Sequence, residues 1–200
     1  MKKLLLVCAI AASLVPMLSR AESTFVTGAV PSTPARLDFR VIIPRVLFLA
    51  VGSGASGTGI SANPAIDTVT FDYTTNAAAV GTGAAAATIL GNVVPVRVVG
   101  NNGQISLTAA TTGALTTAGA TESIPWSQIT VVSDQALTLP SPAIPLTGTG
   151  AASNVTLSGT KLTNQTANWT FSYANSALLP AGIYGTSTNN GRITYTATMP

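Results

Sequence analysis

The chain has 200 residues, 46% of them hydrophobic and 8% charged, with a formal net charge of +3, one Cys and no His. That length suits a single domain with tails and a sizeable core. Lacking His and a second Cys, the chain has no Ser-His-Asp or Cys-His catalysis, no His-ligated metal site, no Cys-cluster zinc site and no disulfide framework.

Met1–Lys2–Lys3 precedes an apolar run from Leu4 to Val15, and the small residues Ser19 and Ala21 flank Arg20. A basic start, a short apolar stretch and a small-residue end identify residues 1–21 as a secretory signal peptide. The run is shorter than the ~20 residues that cross a bilayer. Cleavage after Ala21 removes Lys2, Lys3, Arg20 and Cys8. Arg36, Arg40, Arg45, Arg97, Lys161 and Arg192 then balance Glu22, Asp38, Asp67, Asp72, Glu122 and Asp134. The expected mature chain is exported, thiol-free and neutral. Without clustered Lys and Arg, it has no nucleic-acid partner in prospect.

Residues 22–34 carry Pro31 and Pro34 and read as an extended N-terminal arm. Residues 35–200 then form the folded domain. In Ala35–Val51, Leu37, Phe39, Val41 and Ile43 alternate with Arg36, Asp38, Arg40 and Ile42, which predicts a long strand region. Pro44 interrupts it and marks an edge or bulge. Gly52–Gly59 is a loop. Ile66–Tyr73 is a strand, and Thr75–Gly91 is left open, its Ala favouring helix and its Gly opposing it. Val93–Val99, Asn101–Asn102–Gly103 and Gln104–Ala109 predict a β-hairpin. Further strands are expected at Trp126–Val132, Asn154–Leu157 and Asn168–Tyr173. Asn189–Asn190–Gly191 predicts a turn. After it, Ile193, Tyr195, Ala197 and Met199 alternate with polar residues in a half-buried strand. The sum is an all-β fold.

Candidate sites have simple explanations. Gly52–Ser53–Gly54–Ala55–Ser56–Gly57 matches a dinucleotide-binding pattern, but Ser61–Ala62–Asn63–Pro64 follows where a helix is required. Asp67 and Asp72, five apart on a strand, project to opposite faces and make no catalytic pair. No loop gathers the carboxylates that calcium wants. The N-x-[ST] matches at Asn154, Asn164 and Asn168 are uninformative in so Thr-rich a chain. Trp126, Trp169, Tyr173, Tyr184 and Tyr195 read as core more than as a ligand surface. The residues supply no catalytic, cofactor or metal site, and no enzyme is expected.

Trp169–Thr170–Phe171–Ser172–Tyr173, Leu179–Pro180–Ala181–Gly182–Ile183–Tyr184 and Gly191–Arg192–Ile193–Thr194–Tyr195–Thr196–Ala197–Thr198–Met199–Pro200 together resemble a bacterial fimbrial subunit. Ile124–Pro125–Trp126–Ser127–Gln128–Ile129 is similar to a strand of such pilins. The family is the cysteine-free, chaperone–usher type, and the likeness covers mainly the last third of the chain. It implies an incomplete immunoglobulin-like β-sandwich whose missing strand comes from the N-terminal extension of the next subunit. The donor residues would be Phe25, Val26, Gly28 and Val30. The acceptor groove would be edged by Leu37, Phe39 and Val41 on one side and Ile193, Tyr195, Ala197 and Met199 on the other. The implied partners are copies of the chain or related subunits, a periplasmic chaperone and an outer-membrane usher. The implied place is the cell surface after transit through the periplasm, and the implied role is adhesion. The alternative is a monomeric exported β-sandwich that binds carbohydrate or another surface ligand through aromatics such as Trp126.

Overall fold

The structure is a computed structural model and describes residues 22–53, 59–119 and 121–200. The leader expected at 1–21, and residues 54–58 of the loop expected at Gly52–Gly59, lie outside the described residues. The chain divides into two units, one ending at Ile43 and one spanning Pro44–Pro200.

The second unit is all-β and antiparallel. Its strands are β1 (Leu47–Val51), β2 (Thr70–Asp72), β3 (Thr88–Leu90), β4 (Val93–Gly100), β5 (Ile105–Thr111), β6 (Ile129–Ser133), β7 (Gly148–Thr149), β8 (Ser153–Val155), β9 (Thr163–Tyr173) and β10 (Thr194–Thr198). Two single turns of 3-10 helix, Ala77–Ala79 and Trp126–Gln128, are the helical elements among the described residues. One sheet has the order β1-β4-β9-β6. A second has the order β10-β5-β7, with β8 also paired to β5. β2 and β3 form a separate two-stranded ribbon.

Strict alternation builds the core. In β4, Val94, Val96 and Val98 are buried, and in β5 so are Ile105, Leu107 and Ala109. Ala167, Trp169 and Phe171 do the same from β9. These inner faces join Leu139 and Val155 in one cluster, so the two large sheets share a core.

The expected hairpin at 93–109 is corrected. β4 and β5 lie in different sheets and are not paired with each other. Both strands carry their apolar face to the core, so they oppose each other across it rather than lying side by side. The turn residues bond elsewhere: Asn101 N–H donates to the Val46 carbonyl at 3.3 Å and Gly103 N–H to the Lys161 carbonyl at 3.1 Å. Gly103 has φ +115°, a backbone state that excludes most side chains.

The long strand expected at 35–51 is corrected too. Only Leu47–Val51 pairs, and residues 35–43 carry no strand. Alternation there is real, but it meets no partner ladder. Asn101 sets where pairing begins. Its side-chain oxygen accepts from Val46 N–H at 2.8 Å, and its amide donates to the Pro44 carbonyl at 2.8 Å. β1 ends where β4 reaches Pro95, which has no N–H to give; the Gly52 N–H still donates to the Pro95 carbonyl at 2.9 Å.

Other expectations shift by local chemistry. The strand expected at Ile66–Tyr73 shortens to β2. Trp126 lies in a 3-10 turn after Pro125, and the strand starts at Ile129. The open region 75–91 becomes a 3-10 turn and β3. Buried Asn175 organises this region: its amide donates to the Ala79 and Ala84 carbonyls at 2.7 and 2.9 Å, and its oxygen accepts from Gly81 N–H at 2.8 Å.

Leu107 is fully buried at the centre of β5. Leu107→Ala is expected to cost about 2–5 kcal/mol, whereas Val132→Ala, at an exposed site, is expected to change little. Urea unfolding of both variants checks this.

Candidate functional site

The two flanks of the core are closed differently. On the β6 side the connection after Ser133 folds over the core. Leu139 is fully buried, its carbonyl accepts from the Ser133 hydroxyl at 2.7 Å, and the Pro145 carbonyl accepts from the Thr111 hydroxyl at 3.0 Å. On the opposite flank no such cover exists among the described residues. There β1 is the edge of one sheet and β10 the edge of the other. The two strands are neighbours in space, yet no ladder joins them.

Burial follows this asymmetry. β1 is apolar throughout, Leu-Phe-Leu-Ala-Val, and none of its residues is buried. Ile193, Tyr195, Ala197 and Met199 pack on the core from the β10 segment but stay half-buried. The central strands, by contrast, bury the same kinds of side chain completely. The result is an apolar seam between two strand edges, with one edge of β10 left without a strand partner among the described residues. Thr194 to Thr198 pair with Ala110 to Ser106 on one side only.

Tyr195 is the notable side chain in the seam. Its ring lies 5.1 Å from that of Trp169, tilted by 58°. Its hydroxyl is buried and has no hydrogen-bond partner among the described residues. Burial holds the phenol well above the ordinary tyrosine range, because the charged form would be stranded away from water.

Of the residues singled out in the sequence, the β10 set lies together on the inner side of the seam. Leu37, Phe39 and Val41 belong to the first unit, in no strand and exposed. The edge facing β10 is instead Leu47–Val51. Phe25, Val26, Gly28 and Val30 are all exposed, and the backbone bends at residues 28–30. Sequence reasoning missed the Asn101 clamp, whose only signal is an Asn before an Asn-Gly turn.

Asp67 lines a concavity of about 440 Å³ with Thr68, Val93 and Pro95, and accepts from the Ser53 backbone and hydroxyl. The Asp72 carboxyl is held below the usual carboxylate range by the Thr74 hydroxyl and backbone N–H. No group of three or more metal-ligating side chains occurs among the described residues. Trp126 is buried with its indole N–H on the Gly113 carbonyl at 2.7 Å, so it is no surface platform. Phe71, Tyr73 and Tyr173 form a half-buried aromatic group, with Tyr73 and Tyr173 edge-to-face at 6.2 Å; Tyr184 is half-buried apart from it, its hydroxyl donating to the Pro180 carbonyl at 3.0 Å. Comparison with protein-family models, with curated proteins and with solved structures returns no match.

Tyr195→Phe deletes an unsatisfied buried hydroxyl and is expected to be neutral or stabilising by about 1 kcal/mol. The native tyrosine also makes stability pH-dependent. Its folded pKa lies above the unfolded one, so its contribution is full below about pH 10 and is lost as pH rises through the folded value. Denaturation midpoints at pH 8 and pH 11 should therefore fall less for the Phe variant than for the native chain.

Proposed function

We propose that the chain is a structural subunit of a surface fimbria that polymerises by strand donation and serves adhesion. The observation that carries this reading is the seam: a β10 edge paired on one side only among the described residues, beside half-buried apolar residues, while the opposite flank is covered by the segment after Ser133. An edge of that kind is a template for an added strand.

Strand order supports it. An immunoglobulin constant-type sandwich has sheets A-B-E-D and C-F-G. Here β1-β4-β9-β6 follows the A-B-E-D order in chain sequence, and β5 and β10 take the places of C and F. On the far side of β10, where that fold has its last strand, no strand is present among the described residues. β7 and β8 occupy the other edge of β5. The sandwich is thus read as immunoglobulin-like and one strand short. The basic, apolar leader supplies export, and a periplasmic chaperone and outer-membrane usher would guard and assemble such a chain.

The half-buried tyrosines 73 and 173 favour, more weakly, the second reading of a monomer that binds carbohydrate. Electron microscopy separates the two. The chain processed to begin at Glu22 is expected to form fibres, and a chain lacking residues 22–43 is expected to stay monomeric while keeping its β spectrum. Fibres from the truncated chain, or glycan binding by a native chain that never assembles, would sink the fimbrial reading.

A further inference from the structure

We infer that the strand donated into the seam is Leu37–Ile43, supplied by a second copy of this chain, and that Glu22–Pro34 is not the donor. This rests on the strand-donation reading above.

Four large apolar side chains recur at every second position: Leu37, Phe39, Val41 and Ile43, exposed by 71%, 86%, 82% and 76%. A stretch of that pattern is built to bury one face in a sheet. The seam offers the same count at the same spacing, Ile193, Tyr195, Ala197 and Met199. No turn or bend interrupts residues 31–46, so the segment is free of the kinks that would spoil a ladder.

The preceding stretch is occupied with itself. The Arg36 guanidinium donates two hydrogen bonds to the Glu22 carboxylate, at 2.9 and 3.0 Å. The Thr24 hydroxyl donates to the Pro34 carbonyl at 2.6 Å and meets the Thr33 hydroxyl. These contacts close residues 22–36 into a loop with its bend at 28–30. Val26 and Val30 flank that bend and cannot share a strand face.

The occupant is a second copy because the chain's own segment is wrongly tethered. β1 begins opposite Gly100, and Met199, at the end of the β10 segment, packs at the same end: a Cβ on Gly100 would lie 3.1 Å from its sulfur. To reach its own seam the segment must reverse within Pro44–Val46. Asn101 holds Pro44 and Val46 in line with β1, and no turn forms there. A strand bonded to both edges needs about 10 Å between them, two strand spacings. β1 and β10 approach more closely than that here, so seating the donor must part them.

The test uses the secreted chain, which has no cysteine after residue 21. Phe39→Asp with Val41→Asp should cut assembly about tenfold or more, since each buries a carboxylate in the seam. Phe25→Asp with Val26→Asp should leave assembly unchanged. Circular dichroism of each variant reports folding independently, because all four residues are exposed. In mixtures, an Arg40→Cys chain should form a disulfide with at least one of the Thr194→Cys, Thr196→Cys and Thr198→Cys chains. The inference is overturned if native chains assemble but no such cross-link forms, or if the Phe25/Val26 pair is the one that blocks assembly. A cross-link confined to single chains carrying both cysteines overturns the second-copy assignment. Native chains that never assemble remove the fimbrial reading along with this one.

Discussion

Everything in the second unit depends on β4 and β5 facing each other across the core. Each alternates without a break, and each turns its apolar side inward. Because the turn between them crosses from sheet to sheet, their backbones stay free to pair with other strands. β4 therefore recruits β1 and β9, and β5 recruits β10, β7 and β8. Two sheets and one core follow from that crossing. A true hairpin would have given one sheet with one wet face.

The price of the arrangement is two flanks that must be closed. One is closed from within, by Leu139 and the hydroxyl bonds of Ser133 and Thr111 to carbonyls of the covering segment. The other ends in two bare edges. Natural sheets blunt such edges with lysine, proline or bulges. β10 uses none of these: its outward residues are Thr194, Thr196 and Thr198, all β formers. Its inner face keeps a phenol whose hydroxyl finds no partner among the described residues.

Much of this was legible in the residues. Ile193 to Met199 alternate on the page as they do in space, and the all-β class follows from Thr, Val and Gly with little Lys or Glu. Residues 35–43 show what a periodic pattern leaves open. Alternation states that one face wants burial and says nothing of which ladder will supply it. The same limit hid the sheet crossing at Asn101–Gly103, since a turn signature does not record whether its strands pair or part. Trp126 is buried as its pattern implies, but it lies in a 3-10 turn and not in a strand, because Pro125 favours a tight turn that strand periodicity does not register.

Asn101 has a mechanical side. It grips the chain at Pro44 and Val46, just ahead of β1. A pull on Pro44 along the axis of β1 meets those bonds first and the five-residue β1–β4 ladder behind them. Loaded that way, the hydrogen bonds lie across the pull and share it, rather than opening one at a time like a zip. A single amide side chain thus makes the start of the compact unit a place where force can be passed on without peeling the fold apart.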